Sequence, residues 1–188
     1  GKKSMMNTKG GKVSTGHENH IGMQDSENIE EVAAIERIKV TPKFQNQLST
    51  IFIDYLAIKD ALVNDDTKQA QTAAITFQEN LKKVDMSLLK DNKSHNLWMP
   101  LLKELKASSK EIATESTIKI QREHFIALSN AITKTVTIFG INKKVYKQFC
   151  PMANNDKGAY WLSVDENIKN PYFGASMLKC GTIEAEIE

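Results

Sequence analysis

Residues 41–63, TPKFQNQLSTIFIDYLAIKDALV, decide the fold. Thr41 followed by Pro42 is a helix-start pair. The threonine side chain can cap, and proline is tolerated in the first turn because its missing N–H had no partner there. From that point Phe44, Leu48, Ile51, Tyr55, Ile58 and Leu62 recur at steps of four and three, one apolar stripe over about five turns. The VNDDTK that follows breaks the stripe and offers Asp65 or Asp66 as the next cap.

The same period continues downstream. Ala70, Ala74, Phe77, Leu81 and Val84 mark a second helix, whose small residues allow a neighbour to approach closely. A third carries Trp98, Leu101, Leu105 and Ile112. Pro100 suits only a first turn, which places the start of this helix near Asn96. Ser116 or Thr117 caps a fourth helix with Ile118, Phe125, Leu128, Ile132, Val136 and Phe139, and Gly140 ends it. Four such helices on short connectors predict a mainly α fold, an antiparallel up-down four-helix bundle over residues 41–140.

Two flanks break the helical period. Residues 1–40 are rich in Gly, Ser, Asn, Lys and Glu and read as a flexible linker. They contain His17, His20, Met5, Met6 and Met23, soft or borderline ligands on a tether or simply incidental linker residues. Residues 141–188 read as a small irregular appendix with short strands, packed on the bundle. KVYKQFC alternates, Ser163 with Glu166 forms a capping box for one helical turn before Pro171, and the last residues look extended.

Composition removes several function classes. Of 188 residues, 40% are hydrophobic and 26% charged, and no run reaches the roughly 18 apolar residues of a transmembrane helix. The 25 basic and 23 acidic side chains interleave to a net +2, without the basic face of a nucleic-acid binder. No hydrolase, metalloprotease, P-loop or dinucleotide motif occurs, so no enzyme is expected. The chain begins on glycine, which reads as a processed chain or a fragment, so a missing signal peptide leaves the compartment open.

The chemistry lies with the two cysteines, Cys150 and Cys180, each close to a methionine. In an extended chain Cys150 and Met152 share a side, and Met177 and Cys180 share a face if their segment makes a helical turn. Two thiolates and two thioethers converging would suit copper(I) or silver(I), with His95 the histidine placed to join them. A Cys150–Cys180 disulfide is the competing reading. It would close a loop of about 30 residues and contribute roughly 3–4 kcal/mol. Two separate thiols are the third, and spacing alone leaves all three open.

CPMANNDKGAYWLSVDENIKNPYFGASMLKCG resembles the signature of a small bacterial domain family of unknown function. Its members occur alone or at the C-terminus of periplasmic adaptor subunits (membrane fusion proteins) of copper/silver-type efflux pumps. YLAIKDALVNDD, VDMSLLK with HNLWM, QREHFIALSNAI and MMNTKGGKVSTGH are similar to further family segments. The resemblance implies an exported, periplasmic accessory domain of a tripartite metal exporter that binds or hands over copper(I) or silver(I). Cys150, Met152, Met177, Cys180 and His95 stand at matching positions. Phe149 stands where the family often has His or Tyr, and Pro100 where a polar residue is usual. A disulfide-stapled docking module contacting pump subunits is the alternative the same resemblance allows.

Overall fold

A computed structural model describes residues 35–188. Met5, Met6, His17, His20 and Met23 lie outside the described residues. The chain is mainly helical, with a small three-stranded antiparallel sheet at its C-terminal end.

The long helices are α1 (Pro42–Val63), α2 (Thr67–Leu81), α3 (Asn92–Thr114) and α4 (Ile118–Phe139). Three begin on side-chain caps. Thr41 accepts from the Phe44 N–H at 3.2 Å, Asp66 from Gln69 at 2.9 Å and Asp91 from Ser94 at 2.8 Å. Thr117 caps α4 by position without a side-chain bond. There the buried Gln121 amide donates instead to the carbonyls of Thr67, Ile112 and Glu115. Helix α3 starts at Asn92, ahead of the expected Asn96, and runs through Pro100. Asp91 supplies the stronger start. The Asn96 carbonyl that Pro100 leaves without a helical donor belongs to an exposed stretch, where water can replace the donor.

Aromatic packing marks one end of this layer and a hydrogen bond the other. Phe44 at the start of α1, Trp98 near the start of α3 and Phe139 at the end of α4 meet edge-on, with centroids 5.5–6.1 Å apart. At the other end, Arg122 near the start of α4 reaches the Leu62 carbonyl near the end of α1, at 2.7 Å.

Strands β1 (Val145–Cys150), β2 (Ala159–Ser163) and β3 (Thr182–Ile187) form the sheet in the order β2-β1-β3. β2 lies against α4 and is an edge strand, yet two of its backbone groups find side-chain partners. Tyr55 of α1 accepts from the Leu162 N–H at 3.0 Å and hydrogen-bonds Ser129 of α4 at 2.8 Å, while the Tyr172 hydroxyl donates to the Tyr160 carbonyl. These phenols also join a row of ring contacts: Tyr55 stacks on Phe125 at 5.2 Å, Phe125 meets Tyr172 tilted at 5.7 Å, and Tyr172 meets Trp161 edge-on at 6.0 Å. Burial pushes the Tyr55 and Tyr172 hydroxyls well above the ordinary phenol range, so both stay protonated.

The expected helical turn at Ser163–Glu166 is absent. Ser163 ends β2 and accepts from the Asp165 N–H at 3.0 Å, and Glu166 takes the Tyr146 hydroxyl at 2.8 Å rather than closing a capping box. Strand pairing with β1 wins over the local helix signal.

A charged clamp fastens the C-terminal segment. Arg122 donates to the Pro171 carbonyl and to Asp65, each at 2.7 Å, and Asp65 accepts from the Ala175 N–H at 3.0 Å. Gly174 sits at φ 56, and a Cβ there would run into Asp65 and Arg122. The Ala175 N–H, then the Arg122 guanidinium, hold the Asp65 carboxyl below its ordinary 3.8.

Two outcomes follow for stability. Tyr55→Phe orphans the buried Leu162 N–H and should cost about 1–3 kcal/mol in urea unfolding. Asp65→Asn should lower the urea midpoint at neutral pH. Because the folded-state pKa of Asp65 is depressed, the deficit should shrink as pH falls from about 4 through that lower value. A pH-independent difference would remove the charge from the clamp's account.

Candidate functional site

Cys150 closes the central strand, and the β1–β3 register sets Phe149 opposite Thr182. That pairing carries Cys180, two residues before Thr182, onto Cys150. The sulfurs stand 3.5 Å apart, hydrogen-bonded to each other with no disulfide between them. Cys150 is fully buried and Cys180 is half-buried.

Asn170 holds the outer cysteine in place. It is fully buried; its amide donates to the Cys180 carbonyl at 2.8 Å, and its oxygen accepts from the Tyr172 N–H at 2.8 Å and the Phe173 N–H at 3.3 Å. Its own N–H reaches the Leu178 carbonyl at 2.8 Å. Gly181, at φ 147, passes under the Phe149 carbonyl and the Trp161 ring, where a Cβ would stand 2.9 and 3.0 Å from them. The neighbouring Cys150 thiol, with some desolvation, pushes the Cys180 thiol above its ordinary value. Cys180 therefore holds its proton more firmly than an isolated exposed cysteine would.

The methionines differ from one another. Met177 ends a 3-10 turn, Gly174–Met177, and its carbonyl accepts from the Cys180 N–H at 3.1 Å, so the two lie within one turn as the spacing suggested. Met152 does not continue the strand. β1 stops at Cys150, and the chain reverses through Ala153–Asp156, where Asn154, Asn155 and Asp156 all take positive φ. The i, i+2 relation to Cys150 is thereby lost, since it holds only while the backbone stays extended. Met152 is 48% exposed and lines an open groove of about 760 Å³ against α4, with Arg122, Asn130 and Tyr172.

His95 lies in the first turn of α3, half-buried, three residues before the Trp98 that packs at the Phe44–Phe139 end. Among the described residues no cluster of three or more His, Cys, Asp or Glu forms, so His95 does not join the cysteine pair. Helical and strand spacing carried no information about which end of the layer would face the sulfurs.

Sequence reasoning passed over Asn170 and Arg122. Asn-Pro at 170–171 is a turn signal that could have marked the first. Arg122 is one of only two arginines among 25 basic residues, and both bridge chain segments: Arg37 donates to the Thr137 and Glu188 carbonyls. Asn170→Ala should destabilise the fold by about 2–4 kcal/mol, from its lost bonds and two stranded N–H groups. It should also speed alkylation of Cys180 by iodoacetamide, and an unchanged rate would show that Asn170 does not position that cysteine.

A family model described as "Protein of unknown function (DUF3347)" matches residues 51–144, half of the chain. The match runs from within α1 to the residue before β1 and stops short of the cysteine pair. No curated protein and no solved structure matches the chain. By the extent of that match, the chain belongs to the DUF3347 family of proteins of unknown function.

Proposed function

We propose that this chain is the accessory domain of a periplasmic heavy-metal efflux adaptor, and that it binds or hands over copper(I) or silver(I) through Cys150 and Cys180. The observation that carries the reading is the 3.5 Å separation of two free thiols. The two sulfurs already touch, so a small adjustment lets both face one soft ion. Met177, one turn away, is the nearer candidate for a thioether ligand. Met152, at the groove, is better placed to meet an incoming ion. A structural zinc site asks for four ligands, commonly Cys and His, and the described residues gather no third of the His, Cys, Asp or Glu class. Soft monovalent ions accept thiolate with thioether.

The same reading takes the four long helices as an antiparallel up-down bundle. The Phe44–Trp98–Phe139 cluster and the Arg122–Leu62 contact at opposite ends support it. The partners would be the other subunits of a tripartite pump, the compartment the periplasm, and the role one without catalysis.

An anaerobic silver(I) titration against a chromogenic chelator, on fully reduced protein, tests the site. One-to-one binding is expected. Cys150→Ala or Cys180→Ala should weaken it by more than the roughly 10–100-fold that loss of an outer-shell partner costs. Undiminished binding in both variants would take the metal away from this pair. The docking module would then be the function to pursue.

A further inference from the structure

We propose that Cys150 and Cys180 form a thiol–disulfide exchange site whose substrate is an external disulfide, with Cys180 as the attacking thiol and Cys150 as the resolving one. Three observations place the roles. The sulfurs are in contact at 3.5 Å, so bond formation at about 2.05 Å needs an approach of only about 1.5 Å. Their exposure is unequal: Cys150 is fully buried, whereas Cys180 is half-buried and reachable from solvent. Their supports are unequal too. Cys150 lies in the central strand, paired with Ala159 of β2 on one side, while Cys180 and Gly181 lie in irregular chain between the 3-10 turn and β3. The outer sulfur, on irregular chain, can meet a reagent, and the inner one, on the strand beside it, can then resolve the adduct.

The chemistry balances without another reactant. The Cys180 thiolate attacks one sulfur of a disulfide RSSR. A protein–S–SR bond forms, the S–S bond of the reagent breaks, and RS⁻ leaves to take up the proton Cys180 gave to solvent. The Cys150 thiolate then attacks the Cys180 sulfur. The Cys150–Cys180 bond forms and a second RS⁻ leaves, protonated by the equivalent of the Cys150 proton. The protein dithiol is oxidised by two electrons and RSSR is reduced to two RSH. A soft ion and an exchange partner would compete for the same thiolates, yet neither reading requires the other.

The test uses the reduced full chain with glutathione disulfide, acid-quenched over time and read by intact and peptide mass. Wild type should pass through a transient adduct on Cys180 and end as an internal disulfide without adduct. Cys150→Ala should accumulate one adduct on Cys180, and Cys180→Ala should be modified at Cys150 at least roughly tenfold more slowly. A transient wild-type adduct on Cys150, a wild-type reaction that stops at the Cys180 adduct, or equal rates in the two variants would each overturn the proposal. The wild-type time course decides even if a variant does not fold. Silver binding is read separately: its loss with exchange intact removes the metal reading alone, and its persistence without exchange removes this one.

Discussion

A single phenol joins the two layers of this molecule. The Tyr55 hydroxyl accepts the Leu162 N–H from the edge of β2 and shares a hydrogen bond with Ser129 of α4, so helix α1, helix α4 and the sheet meet at one oxygen. A sheet laid against helices with one edge turned inward must find partners for that edge, since an unpaired buried amide costs about as much as a lost hydrogen bond. Tyr55 and Tyr172 meet this requirement with one acceptor and one donor. The rest of the sheet follows from that placement: β1 is set by pairing with β2, and β3 by pairing with β1.

The charged and amide groups then fasten what the phenols have positioned. Arg122, Asp65 and Asn170 all act on carbonyls and N–H groups of irregular chain, which has no ladder of its own to satisfy them. Arg122 serves three oxygens from one planar head, a task an ammonium on a flexible stem does less well. Their combined effect is to hold residues 170–181 as a compact turn whose last part presents Cys180 to Cys150. The cysteine contact is thus the joint product of the β1–β3 register and this polar scaffold.

That origin bears on the chemistry. Among the proposed soft ligands, the two thiols are in contact, Met177 is one turn from Cys180, and Met152 and His95 are set apart by the end of a strand and by the far end of the helical layer. The family match covers helices whose stripes are core. The two sulfurs lie in the segment beyond it.

The helices were legible in the sequence because their information is local. Stripes at 3.6-residue spacing, Thr41 with Pro42, and Asp66 each act within a turn or two, and these elements form where those signals lie. Local signals failed where a distant partner outbid them. Ser163 and Glu166 lost their capping box to β1 and Tyr146, and Met152 left the side of Cys150 when the strand ended. Cysteine content and spacing by themselves determined that a thiol pair could exist, and left disulfide, metal site and separate thiols all open, with the disulfide foremost. Only the tertiary structure decided that Cys150 and Cys180, 30 residues apart, touch, and that His95 does not reach them. The reason is that strand register and the end of a helical layer are set by pairings between remote residues, which no short-range periodicity encodes.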